Sequence, residues 1–433
     1  MTYQEAIDFL FTSLPMYQRQ GKAAYKSSLE NTLRLDTYFN HPHRSYATIH
    51  VAGTNGKGSV SHMIASVLQA TGLRTGLYTS PHLLDFRERI RINGQSIPEE
   101  EVRNFVSENR KIIGEVKPSF FEMTVAMAFD YFAREEVDVA VIETGLGGRL
   151  DSTNIILPVL TVITNISLDH SEFLGTHPSS IAREKGGIIK EKVPLVLGRS
   201  EAPTDEVLLS MACDRSAPVV SASENYQAQF RTIDTEGKMH LRIRKAGKAS
   251  SKTIRCDLTG EYQQENIITA LTALEQLQEL HWKISEAHLL EGFASVAAST
   301  GIRGRWETIG HNPRSICDTA HNVDGIAAVI RQIRQTPWKR LHMVWGMVSD
   351  KDLHMILPLL PEEASYYFAR SSVPRSINAR VLTEQAREYG LKGIPYPNVE
   401  EAYRAAQAEA GPEDMIFTGG STFVVADLLL MKF

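Results

Sequence analysis

A glycine-rich turn between a short apolar run and a helical one narrows the possible folds of this chain more than any other feature. Ala47 to Ala52 (ATIHVA) reads as a buried strand. Gly53-Thr54-Asn55-Gly56-Lys57-Gly58-Ser59 follows, and Lys57 to Thr71 reads as a helix with Val60, Met63, Ile64, Val67 and Leu68 on one face. The same succession of β-branched run and longer amphipathic stretch recurs along most of the chain, the pattern of an α/β fold with a mainly parallel sheet. Further strands are expected at Gly76 to Tyr78, Val137 to Ile142, Val159 to Ile166 and Val193 to Leu197. Helices are expected from about Glu99, over Phe120 to Arg134, and over Ser179 to Lys190. The stripe Phe120, Met123, Met127, Phe129 and Phe132 reads as core.

From about Tyr226 to Leu258 the period changes. The alternation in His240 to Arg244 (HLRIR), between turns at Glu236-Gly237 and Ala246-Gly247, predicts a small antiparallel β section. A helix over Gln264 to Leu280 follows. The small-residue run Ala294 to Gly301 then reads as a linker. Beyond it come strands near Ser315 to Cys317, Leu341 to Trp345, Tyr366 to Ala369 and Met415 to Thr418, with a last helix over Thr422 to Leu430. With 433 residues, two domains are expected, residues 1–298 and 299–433.

The glycine-rich turn is also the strongest chemical signal. Glycines let backbone N–H groups approach a phosphate, and a helix N-terminus favours the anion. Lys57 supplies charge for terminal phosphates and Ser59 a hydroxyl for Mg²⁺. The usual GxxxxGK[ST] spacing is not met, because Val51 holds the first glycine position and Gly58 separates Lys57 from Ser59. Ser80, Glu143 and Asp169-His170 each follow an expected strand, and ligands of parallel sheets collect beyond the carboxyl ends of strands. Hydroxyl and carboxylate suit a Mg²⁺ shell, with the imidazole a less usual third member for so hard an ion. Taken singly, Ser80 reads as a cap, and Glu143 gains weight from the glycines after it. Lys185, in Arg183-Glu184-Lys185-Gly186-Gly187, reads by composition as an exposed helical lysine. Asp318 and His321 (CDTAHN) fit either a ribose contact or a helix cap.

Lys and Arg number 46 against 51 Asp and Glu, a net charge of −5, which argues against a general nucleic-acid binder. Three dispersed cysteines, no membrane-length apolar run and a polar start after Met1 predict a cytoplasmic protein.

Assembled, these motifs resemble the Mur ligase superfamily, and within it the folylpolyglutamate synthase and bifunctional dihydrofolate synthase group. The resemblance rests on IHVAGTNGKGS (49–59), GLYTSPHL (76–83), RERIRING (87–94), IETGLGGRLDSTN (142–154), ISLDH (166–170) and IAREKGGIIK (181–190). It continues through GEYQQEN (260–266), GRWE (304–307), DTAHN (318–322), SDKD (349–352) and FTGGS (417–421). It implies a P-loop ATP-binding domain followed by a smaller Rossmann-like one, with the nucleotide in the cleft between them. The implied activity is ATP-dependent joining of a dihydropteroate or folate carboxylate to L-glutamate through an acyl phosphate, on a monomer with no nucleic-acid or membrane partner.

Carried over by position, Gly53 to Ser59, Asn266, Arg305, Asp318 and His321 would bind ATP. Ser59, Ser80, Glu143, His170 and Lys185 would hold Mg²⁺ as two ions, a monovalent cation being a further candidate. Lys57, Lys185 and His170 would be catalytic, and the resemblance makes Lys185 a carbamylated lysine, reversing its bland reading. Thr319 and Val323 depart from the usual DGAHNP, and Gly186 from the usual EKAGI. The segment Leu14 to Arg34 lies where the family contributes to pterin binding. A ligase acting on cell-wall precursors, and a nucleotide-gated binding protein, are the competing readings.

Overall fold

The β-branched runs build two separate sheets of α/β type and one small antiparallel sheet, in a computed structural model that describes residues 1–15, 28–199 and 201–431. Most of Leu14 to Arg34, residues 16–27, lies outside the described residues. The chain divides into two units, Met1–Asp257 with Gln263–Ile302, and Leu258–Tyr262 with Arg303–Phe433. The division thus falls at Ile302/Arg303 rather than after residue 298, and five residues ahead of it belong with the second unit.

In the first unit the strands are β1 (Ala47–Ala52), β2 (Thr75–Tyr78), β3 (Ile90–Ile92), β4 (Gln95–Ser96), β5 (Val139–Glu143), β6 (Leu160–Ile163), β7 (Leu195–Leu197) and β8 (Val219–Ser221). They lie in the order β4-β3-β2-β5-β1-β6-β7-β8. All pairs from β2 to β8 are parallel, while β3 and β4 form an antiparallel edge. Near-continuous burial of β1, β2, β5 and β6 explains their unbroken apolar runs, since a parallel sheet is covered on both faces. The helix Phe120–Arg134 starts at a capping box, Ser119 with Glu122, and buries the predicted stripe Phe120, Met123, Met127, Phe129 and Phe132.

One expectation fails, and the surroundings of the helix Lys57–Ala70 supply the reason. The helix Lys57–Ala70 has no polar face: every residue from Ser59 to Leu68 is buried. The supposed linker Ala294 to Gly301 is instead the end of the helix Glu286–Ala294 and a further helix, Val296–Thr300, which packs against Lys57–Ala70. Small residues let these helices approach closely. Ser66 Oγ donates to Gly292 O and meets Ser299 Oγ, each at 2.7 Å, and His62 Nδ1 meets Thr300 Oγ1 at 2.7 Å. A linker and a tight helix contact draw on the same small residues, and composition alone does not separate them.

The antiparallel sheet is β9 (Tyr226–Ile233), β10 (Met239–Lys245) and β11 (Ser251–Cys256), in the order β11-β10-β9. Met239, Leu241 and Ile243 point inward and Arg242 and Arg244 outward, as the HLRIR alternation requires.

The second unit holds β12 (Glu307–His311), β13 (Arg314–Cys317), β14 (Leu341–Trp345), β15 (Ser365–Ala369), β16 (Lys392–Tyr396) and β17 (Met415–Gly419), in the order β12-β13-β17-β14-β15-β16. β12 is antiparallel to β13 and the other pairs are parallel. Edge strands β12 and β16 were not legible. β16 contains Pro395, which an edge tolerates and a central strand does not. Among the described residues, no helix is long and apolar enough to cross a membrane.

Candidate active site

Because β2, β5, β1 and β6 are parallel neighbours, whatever follows each strand emerges at one edge of the sheet. Ser80 follows β2, Glu143 ends β5, Gly53–Ser59 follow β1, and Asp169-His170 come after β6. The order of strands, not their order in sequence, puts Glu143 directly beside the glycine-rich loop.

The loop is held from outside. Thr54 N–H donates to Asn165 O and Asn55 N–H to Asn165 Oδ1, both at 2.9 Å; Thr164 Oγ1 donates to Asn55 O at 2.6 Å. Thr54 Oγ1 donates to Ser167 O at 3.0 Å and accepts from Ser167 N at 2.9 Å. Gly56, at φ 83°, is the N-cap of Lys57–Ala70, so the first-turn N–H groups of that helix project toward an incoming anion. Ser59 Oγ accepts from Gln263 Nε2 at 3.2 Å, and Asn266 Nδ2 donates to Gln263 Oε1 at 2.8 Å, which brings Asn266 to the loop.

Two amines converge on one carbonyl. Lys57 Nζ donates to Gly53 O and Thr54 O, each at 3.1 Å, and Lys185 Nζ donates to Gly53 O at 2.6 Å. Lys185 is 5% exposed, so its reading as a surface lysine is wrong. It lies on the buried side of the helix Pro178–Gly186, whose polar composition hides this. Burial, then the charge of Lys57, lowers its pKa to about 7, with Asp169 and Asp151 opposing. Gly186 leaves room for Met211 and Leu208, whose side-chain ends lie 2.7 and 3.0 Å from where an alanine Cβ would stand.

Glu143 is 4% exposed and its Oε2 accepts from Ser80 N–H at 3.2 Å. A buried carboxylate beside a serine at a phosphate-type loop is an oxygen donor set that fits a hard divalent cation. His170 sits at φ 51°, with its own N–H bonded to Asp169 Oδ1 at 2.9 Å and its Nε2 3.8 Å from Asp169 Oδ2.

Sequence reasoning missed Asp151. Its Oδ2 accepts from Gly145 and Leu146 N–H at 2.8 and 2.9 Å, and its Oδ1 from Thr153 N–H at 3.0 Å and Thr153 Oγ1 at 2.5 Å. Thr153 Oγ1 in turn meets His50 Nε2 at 2.8 Å in the middle of β1. This chain fixes the turn after Glu143, and the Asp-Ser-Thr string was its only local signal, a side chain bonding its own backbone two residues on. Asp151→Ala is expected to cost about 2–3 kcal/mol, from several stranded donors, read as a lowered Tm.

In the second unit the predicted residues cluster past β13. Arg305 is hydrogen-bonded to Thr319 Oγ1, so the threonine that departs from the family glycine gives this guanidinium a partner. Asp318 Oδ2 accepts from Trp306 N–H at 2.7 Å and from Tyr262 OH, and Oδ1 from Ala320 N–H at 2.8 Å. His321 Nδ1 lies 3.0 Å from Thr319 O. Asn322 caps the helix Val323–Gln335, which places Val323 at its first position, where a proline is also at home.

A phosphate-type loop with two lysines beside a buried carboxylate makes a P-loop nucleotide site, and the relatives of the chain make it an ATP-dependent ligase. The Mur ligase middle domain model matches residues 51–274, and the Mur ligase glutamate ligase domain model matches residues 304–422. The chain belongs to the Mur ligase family, in its folylpolyglutamate synthase/dihydrofolate synthase branch. It is 30% identical to the folylpolyglutamate synthase of Lacticaseibacillus casei over 97% of this chain and 96% of that one. It is 32% identical to the dihydrofolate synthase/folylpolyglutamate synthase of Escherichia coli, over 88% and 85%. It spans only about half the length of two haloarchaeal relatives described as probable bifunctional folylpolyglutamate synthase/dihydropteroate synthase.

Among solved structures it resembles E. coli FolC in complex with DHPP and ADP, with a TM-score of 0.85 at 28% identity over 99% of this chain and 97% of that one. It also resembles a bifunctional folylpolyglutamate synthase/dihydrofolate synthase with Mn, AMPPNP and L-glutamate bound, with a TM-score of 0.83 at 27% identity over 99% of this chain and 97% of that one.

Proposed function

We propose that this chain is an ATP-dependent ligase that joins L-glutamate to the carboxylate of dihydropteroate, of a reduced folate, or of both, releasing ADP and phosphate. The observation that carries it is the convergence of Lys57, Lys185 and Glu143 on the edge that follows β1 and β5. The acceptor carboxylate attacks the γ-phosphorus, and the bond to ADP breaks to give an acyl phosphate. The glutamate amine then attacks the acyl carbon, phosphate leaves, and the amine gives up a proton.

In this reading Gly53–Ser59 and Asn266 bind the nucleotide, and Lys57 meets the charge on the transferring phosphoryl group. Arg305, Asp318 and His321 are the nucleotide-binding candidates of the second unit, Asp318 chiefly by positioning the loop that carries Arg305. Ser59, Ser80, Glu143, His170 and a carbamylated Lys185 would hold Mg²⁺ as two ions. The metal would supply charge neutralisation at the phosphates. The carbamate forms when the neutral Lys185 nitrogen bonds the carbon of CO₂ and loses a proton to solvent. A monovalent cation, a monomeric state and a cytoplasmic setting belong to the same proposal.

A ligase of cell-wall precursors finds no support among relatives of this description, and a nucleotide switch leaves Glu143 and Lys185 without a joint role. The deciding assay supplies Mg-ATP and glutamate with dihydropteroate or with tetrahydrofolate. ADP release that depends on acceptor is the expected result, and none with either pterin overturns the reading.

A further inference from the structure

The segment leading into β1 holds a second cluster of ligand-type side chains. Asp36, His41 and His43 bring one carboxylate oxygen and two ring nitrogens within 4.8 Å of one another, the one such grouping among the described residues. Asp36 lies near the end of the helix Glu30–Tyr38, and His41 N–H donates to Asp36 O at 2.8 Å as the chain turns back. That turn holds His41 at φ 55°, a left-handed conformation uncommon for a side-chain-bearing residue, and it starts the short helix Pro42–Arg44 that carries His43. His41 Nδ1 stands 2.5 Å from Asp36 Oδ2, and His43 Nε2 stands 3.3 Å from Asp36 Oδ1.

The polar groups are not satisfied as an ordinary hydrogen-bonded cluster would be. Asp36 is 7% exposed, yet its Oδ1 receives no well-aligned hydrogen bond, its neighbour being His43 Nε2 at 3.3 Å; Thr32 Oγ1, one helical turn earlier on the same face, is buried with no hydrogen bond. Leaving buried oxygens without a partner is costly, and native structures seldom do so without a further group. His43 is 7% exposed, so its ring is fixed by packing beside Asp36. His41 keeps about a third of its side chain exposed, so its ring has room to move outward to metal-ligand spacing and leaves a position open to water.

We propose that Asp36, His41 Nδ1 and His43 Nε2 bind a divalent ion of the zinc class. Two imidazoles with one carboxylate suit Zn²⁺, Co²⁺ or Ni²⁺ rather than Mg²⁺, which takes oxygen donors. The site stands before β1, and the glycine-rich loop follows it. The six residues Ala47–Ala52 set the two ends apart by roughly 16–20 Å, so this ion stays outside the phosphate-binding edge. Its effect is to tie the helix Glu30–Tyr38 to the entry of the central strand.

The test uses the full-length, tag-free chain, stripped with chelator and titrated with Zn²⁺ or Co²⁺ in millimolar Mg²⁺ to mask oxygen-donor sites. One equivalent should bind, Tm should rise, and Co²⁺ should show the visible absorption of a low-coordinate nitrogen–oxygen site. His41→Ala, at a partly exposed position, should weaken binding by at least about tenfold, because even outer-shell partners of metal sites are worth that much. It should also abolish the Tm rise while leaving ligase turnover in Mg-ATP without zinc unchanged. His43→Gln should behave alike; should it fail to fold, His41→Ala decides alone. No binding at one equivalent, or equal binding by wild type and His41→Ala, overturns the proposal.

Discussion

Lys185→Ala is expected to lower kcat for glutamate addition by about three orders of magnitude, with the circular dichroism spectrum of the wild type retained. The lysine is buried, donates to Gly53 O at 2.6 Å, and stands next to Lys57 on the same carbonyl. With its pKa lowered to about 7, roughly half of it is neutral at pH 7, against well under a thousandth of an ordinary lysine. Only the neutral amine combines with CO₂, and the step releases a proton. The carbamate is therefore favoured as pH rises through about 7 and lost as pH falls below it.

Wild-type turnover should accordingly drop below pH 7, fall in CO₂-free buffer and recover on adding bicarbonate. The variant should ignore bicarbonate and regain part of its activity with acetate or propionate, which return a carboxylate to the cavity. Coupled detection of ADP release across pH 6 to 8.5 reads all of this. Full activity in Lys185→Ala removes the residue from the mechanism, and indifference of the wild type to CO₂ removes the carbamate.

That same lysine marks where reading the sequence stopped. Local pattern was enough for β1, the glycine-rich loop and the helix behind it, for the helix Phe120–Arg134, and for the inward set Met239, Leu241 and Ile243. Each is decided by neighbours within a few residues. The burial of Lys185 is decided by Gly53, 132 positions away, and the brace on the loop by Thr164 and Asn165, more than 100 positions away. A helix that reads PSSIAREKG looks solvated until the partner strand is in place. The run Ala294 to Gly301 misled for the same reason, its small side chains being chosen by a helix elsewhere in the chain. The strand-end argument already grouped Ser80 with Glu143, which the structure pairs, and only family resemblance added Lys185, which the structure puts on Gly53 O. Neither pointed to Asp151, whose four accepted hydrogen bonds appear only once the turn after Glu143 is folded.

Gly53→Ala is the second large effect, and it separates the architecture of the loop from its charge. Gly53 sits at φ 148°, where an L side chain is strained, and a Cβ there would fall inside the Thr164 hydroxyl and 3.1 Å from Thr164 N. Thr164 has nowhere to go. Its N–H donates to Ala52 O at 2.9 Å, its Oγ1 to Asn55 O at 2.6 Å, and its carbonyl accepts from Arg199 N–H at 2.9 Å. Backbone strain of about 1–3 kcal/mol and a comparable overpacking term should lower stability by about 2–4 kcal/mol. The displaced loop should weaken ADP binding by about 100-fold, some 2.7 kcal/mol. Thr164→Ala in the same chain removes the clashing oxygen and should return part of the stability. It removes the Thr164 hydrogen bond to Asn55 O, so ADP affinity should recover less than Tm does. Thermal melts and calorimetric ADP titrations of the single and double variants measure both. Wild-type ADP affinity in Gly53→Ala would mean that this loop does not hold the phosphates, whatever Lys57 contributes.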